Sequence, residues 1–221
     1  MNNKLKKWII IPAEIKVRDF DSRLLLSILL NQRGYGVIIG SHLEINNNIN
    51  RFPNGIYFDK SIALNKYSFF KKLKKRFIII SNDEEGLSSL NNTKQFIKQR
   101  VSKKMLNLVD RYFTWGKNDL DLIIKTYPEF KKKIYPAGNS RIDLYKNNLV
   151  ELFKPAQKLI KDKVGEYVLM PSNFSLKNQN EKDATINKLK SMGRIKNLND
   201  EKNYMSRFKY QEEVLKNFVK I

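Results

Sequence analysis

Short apolar runs recur along the first two thirds of the chain, and each ends at Pro, Gly or a polar turn. Residues 8–11 (WIII) stop at Pro12, 35–39 (YGVII) at Gly40, and 77–80 (FIII) at Ser81 and Asn82. Such brief runs, apolar at successive positions, suit buried strands of a parallel sheet. Further runs lie at 55–58, 111–114 and 133–136. Between them the spacing becomes helical. Asp19, Asp21 or Ser22 can cap an apolar helix over 24–30, which Gly34 closes. Residues 67–75 read as a basic amphipathic helix, and Val101, Met105, Leu108 and Val109 mark one face of another. Asn118 or Asp119 can cap a third helix, ended by Pro128. Six strands alternating with helices predict an α/β fold, a Rossmann-like, doubly wound parallel sheet with right-handed crossovers.

The texture changes after Asp143. A helix near 144–153 gives way to a charged segment through Glu166, then a strand is expected at 167–170 and polar helices near 181–192 and 200–219. One strand and two polar helices do not enclose a core of their own. The expected organisation is a Rossmann-like domain over 1–145, a linker over 146–166, and the opening of an incomplete second domain over 167–221.

Composition narrows the functional classes. Hydrophobic residues make up 41% and aromatics 11%, enough for a packed core. With no cysteine, disulfide scaffolds, thiolate nucleophiles and Cys-based zinc sites are excluded. No apolar run is long enough for a membrane span, and 8–12 is too short for a secretion signal, so a cytoplasmic protein is expected. The net charge of +21 favours anionic partners. Yet 33 Lys stand against 10 Arg, a mixture that an AT-rich genome also supplies at permissive surface positions. Base readers lean on the bidentate geometry of Arg. The clusters at 71–76 and 131–133 are not interleaved with aromatics, so nucleic acid is not an expected partner. Peripheral contact with the anionic inner leaflet of a membrane fits the lysine excess better.

No Walker loop, GxGxxG, HExxH or GxSxG occurs, and His42 is the only histidine. The candidate chemistry lies in carboxylates at the ends of strands, the edge where open α/β sheets bind ligands. Asp83, Glu84, Glu85 and Gly86 follow the 77–80 run. A carboxylate there can act as general base on a hydroxyl, and partial burial would raise its pKa. Gly86 permits close approach of a backbone or a ligand. The same residues equally suit a polar structural turn. Glu14 and Arg18 follow the first strand and are candidate substrate contacts, or Arg18 pairs with Asp19 or Asp21. Asn139, Arg141 and Asp143 follow the last strand. There Arg141 can bind phosphate or carboxylate with Asp143 holding it, or the segment is a Gly turn with a local salt bridge.

Five segments together, IPAEIKVRDFDSRLLLSILLNQRGYGVIIG, PNGIYFDKS, SNDEEGL, YFTWG and AGNSRIDLY, resemble the bacterial surface carbohydrate biosynthesis proteins. These are similar to two-domain GT-B glycosyltransferases. The last segment also resembles the GxPRxD element of CDP-glycerol glycerophosphotransferase-like enzymes, with Ser140 in place of the Pro. The acidic turn resembles the D/E-D/E-G element of sialyltransferase-like and Kdo-transferase-like enzymes, matched by Glu84, Glu85 and Gly86, with Asp83 as the further candidate. The likeness covers about 7–145, and the His-Pro element of the sialyltransferase-like second domain is absent. For a full-length protein the resemblance implies transfer of a sugar from a nucleotide-sugar to a glycan acceptor in surface polysaccharide synthesis; the sequence shows no metal-ligand cluster, so a reaction without a metal or other cofactor is expected. Glycerol- or polyol-phosphate transfer, or a non-catalytic scaffold, are the alternatives.

Overall fold

All six apolar runs are strands of one parallel sheet in the computed structural model, which describes residues 7–86, 97, 98, 100–169, 179–191 and 195–218. The strands are β1 (Trp8–Ala13), β2 (Gly36–Ser41), β3 (Gly55–Asp59), β4 (Phe77–Asn82), β5 (Arg111–Thr114) and β6 (Ile134–Pro136). Their order in the sheet is β2-β1-β3-β4-β5-β6, every pair parallel. The expected α/β, Rossmann-like architecture is therefore present. In this order the connections change direction between β1 and β3, a point where loops diverge at the carboxyl edge and leave a crevice.

The connecting helices are α1 (Asp21–Gln32), α2 (His42–Asn47), α3 (Tyr67–Leu73), α4 (Lys103–Leu108), α5 (Lys117–Thr126) and the single turn α6 (Ser140–Asp143). On one face of the sheet Ile10, Tyr57, Ile79 and Tyr112 pack with Ile45, Phe70, Met105 and Ile123 from the helices. The other face is more open: Ile9 and Ile11 are buried, but Ile78 is 53% exposed. The sheet is thus not covered equally on both sides, as its continuous apolar runs suggest.

Helix α1 departs most from its apolar sequence. It buries Ser22, Arg23 and Ser27 and leaves Leu24, Ile28 and Leu29 exposed. Small hydroxyl side chains let the helix sit close, and their hydroxyls donate to nearby backbone carbonyls, Ser22 to Asp19 O in the preceding turn (2.9 Å) and Ser27 to Arg23 O within the helix (2.7 Å). None of the expected caps opens α1. A π-helical turn, Lys16–Phe20, runs straight into it, and Asp19 accepts from the Ile15 N–H (3.1 Å) at the head of that turn. Gly34 does close the helix, in the left-handed conformation at φ +86°. Helix α5 begins at Lys117, so Gly116 occupies the cap position rather than Asn118 or Asp119.

The chain divides into two compact units, 1–159 and 160–221, with the boundary inside the helix Lys154–Val164. That helix lies within the charged segment expected to be a linker. Residues 167–169 form no strand and are exposed. Met170 lies outside the described residues. Among the described residues the second unit holds the end of the helix Lys154–Val164 and two more, Gln179–Ser191 and Leu198–Phe218, joined by a small cluster of Ile186, Ile195 and Phe208. No described helix is long and apolar enough to cross a membrane.

The unequal faces of β4 make a test. Ile79→Ala, at a site of 0% exposure, should cost about 2–5 kcal/mol by chemical denaturation, whereas Ile78→Ala should cost less than about 1. Equal losses would contradict the packing described.

Candidate functional site

The acidic turn leaves the carboxyl end of β4, and its three carboxylates go to three different places. Asp83 is buried and fully engaged. Arg100 donates to both its oxygens (2.7 and 3.2 Å), Tyr112 donates from its hydroxyl (3.0 Å), and the Glu85 N–H closes the turn (2.9 Å). Burial alone would push its pKa up, but the Arg100 hydrogen bonds and charge outweigh it and hold it below the ordinary value. Asp83 is therefore a brace for the turn.

Glu84 points inward and is only 2% exposed. Its carboxylate pairs with Arg23, which enters from α1 and is itself 1% exposed, with its guanidinium 4.9 Å from the centre of the Phe58 ring. Desolvation raises the pKa of Glu84 and lowers that of Arg23, each opposed by the partner's charge. Glu84 Oε2, Arg23 Nε and Nη1, and Asp59 Oδ2 are buried and make no hydrogen bond among the described residues. A buried ion pair in this condition contributes little net stability, since desolvation consumes the attraction.

Glu85 points outward, with its side chain 62% exposed. Arg100 donates to it (2.8 Å), and that hydrogen bond holds its pKa below the ordinary value. It lines an open cleft of about 480 Å³ together with Gly86, Trp115, Lys117, Asn118 and Asp119. Gly86 sits at φ +67°, and a Cβ there would lie 3.0–3.3 Å from three atoms of the Trp115 indole. The close approach that Gly86 permits is made by this ring.

The other expected contacts divide between the two sides of the turn. Asn139 Nδ2 (3.1 Å) and Arg141 Nη2 both donate to the backbone carbonyl of Glu84, and Asn139 Oδ1 accepts from the Arg141 N–H (3.0 Å). The segment after β6 is thus clamped on the acidic turn. Asp143 does not hold Arg141; it pairs with Lys146 (2.7 Å). Glu14 and Arg18 lie at the β1/β3 switch point. Arg18 pairs with Asp19 (2.6 Å) and with Glu14 (3.2 Å), and Lys60, after β3, also reaches Glu14. Asp59 is buried, pairs with Lys66 and accepts the Ser61 N–H (3.0 Å). His42 opens α2 and hydrogen-bonds Asn46, which accepts from the Tyr57 hydroxyl (2.7 Å).

Arg23, Arg100 and Trp115 complete this site without having been anticipated. Arg23 had a visible signal: Ser22, Arg23 and Ser27 form a polar stripe on a helix otherwise filled with Leu and Ile. Trp115 was legible only as the end of a strand, and no local pattern ties Arg100 to Asp83. No family model, curated protein or solved structure matches the chain.

The shifts have opposite signs for stability. The lowered pKa values of Asp83 and Glu85 contribute stability above the ordinary carboxylate range, lost as pH falls through the lowered values. Glu84, raised, costs stability as pH climbs from the ordinary value to its own. The ion pair gives a direct test. Arg23→Met or Glu84→Gln alone should each cost about 3–5 kcal/mol in chemical denaturation, because one strands a buried charge and the other leaves a buried guanidinium without its counter-ion. Arg23→Met with Glu84→Leu should recover most of that loss; a strictly additive double mutant would contradict the pairing.

Proposed function

We propose that the chain acts in glycosyl transfer for surface polysaccharide synthesis, moving a sugar from a nucleotide-sugar to a glycan acceptor. The observation that carries this reading is Glu85, a carboxylate at the carboxyl edge of a parallel sheet, open to a cleft and flanked by an exposed indole. The resemblance of the five motif segments supports it independently.

In this reading Glu85 takes the proton from the acceptor hydroxyl as its oxygen attacks the anomeric carbon and the nucleoside phosphate departs. A base must be ionised before it can act, and the Arg100 hydrogen bond favours the ionised form of Glu85. The same pairing makes it a weak base, so its reach and alignment matter more than its basicity. Glu84, gripped on its backbone and buried at its carboxylate, fixes the turn from which Glu85 projects. The lysine excess suits loose peripheral contact with the anionic membrane face where such glycans are assembled.

Nucleotide release from UDP-hexoses, a CMP-linked sugar acid and CDP-glycerol, measured with and without saccharide acceptor, tests the reading. Acceptor-dependent release from a sugar donor is expected, with Glu85→Gln slowing it by on the order of 10²–10⁴ while the protein stays folded and loses only the small stability of the exposed Arg100 pair. Release from CDP-glycerol alone would assign polyol-phosphate transfer. No release from any donor would make the protein a non-catalytic scaffold.

A further inference from the structure

We propose that the cleft beside the acidic turn is a saccharide subsite with Trp115 as its platform. The role of that ring as acceptor rests on the transferase reading; the binding chemistry stands on the cleft itself.

The cleft volume of about 480 Å³ falls within the ~300–1,000 Å³ typical of small-molecule sites. Trp115 stands between β5 and α5 and is 39% exposed although its ring lies against the Gly86 backbone. The bare glycine fixes the indole plane and leaves part of the ring open to the cleft. The face of an aromatic ring is electronegative, so it attracts the weakly positive C–H face of a pyranose. Around it stand the groups that hydroxyls need: carboxylate acceptors on Glu85 and Asp119, the donor and acceptor amide of Asn118, and the Lys117 ammonium.

Two-dimensional ¹H–¹⁵N spectra of the full chain, titrated with methyl glucoside, glucosamine and glucuronate, read this directly. Saturable shifts are expected at the amides of Gly86, Gly116, Lys117 and Asn118 with at least one of the three. Trp115→Ala should abolish the shifts in a spectrum that stays dispersed, Trp115→Phe should restore part of them, and Asn118→Ala, on the exposed first turn of α5, should weaken binding without disturbing the fold. No saturable shift with any sugar, or shifts unchanged in Trp115→Ala, would overturn the subsite. Saccharide binding in a protein with no transfer activity would remove the transferase reading and leave the subsite standing. Transfer with unchanged acceptor KM in Trp115→Ala would do the reverse.

Discussion

The backbone carbonyl of Glu84 accepts from Asn139 and Arg141, while its side chain is buried against Arg23. Through these contacts one residue on the turn after β4 is tied to the segment after β6 and to the helix after β1. Backbone in a left-handed glycine turn is ordinarily free to change direction. Here it is held from both sides, and the residue that follows inherits the constraint. Glu85 then has one way to go, outward, where Arg100 and the cleft meet it. Gly86 completes the turn at a φ that favours glycine, and its missing side chain is replaced by the Trp115 ring.

Adjacent carboxylates in unlike surroundings are a familiar way to separate roles. Glu84 lies in a desolvated layer with Arg23 and Asp59, where charge is expensive and the neutral form gains. Glu85, one peptide further, is solvated and paired with a guanidinium, so the ionised form gains. Such a layer of buried charge does not recover its desolvation through stability alone. Its benefit is positional: it supplies a rigid floor beneath an exposed acid. The covered face of the sheet, packed around Tyr57, Phe70 and Ile79, carries the stability that this edge lacks.

Much of this was legible in the amino-acid sequence, for physical reasons. Parallel strands buried among helices read as unbroken apolar runs, so all six strands and their alternation with helices were visible, within about two residues at each end. The acidic turn was visible because it directly follows one of those runs. The identity of the exposed acid was not, since Asp83, Glu84 and Glu85 differ only in partners distant along the chain, at Arg23, Arg100 and Arg141. Helix α1 misled for the opposite reason. Its leucines suggested an inward face, but close packing selected Ser22 and Ser27 and carried Arg23 with them. In the second unit, 167–169 have apolar character but form no strand, and apolar character alone does not make one.

The division between Glu84 and Glu85 is open to direct measurement. Side-chain carboxyl ¹³C shifts, followed through an acid titration of the folded protein and assigned with Glu84→Gln and Glu85→Gln, report each group separately. The account predicts that Glu85 titrates below the ordinary glutamate value of about 4.3 and Glu84 above it. Two coincident titrations near that value, or the reverse order, would contradict it.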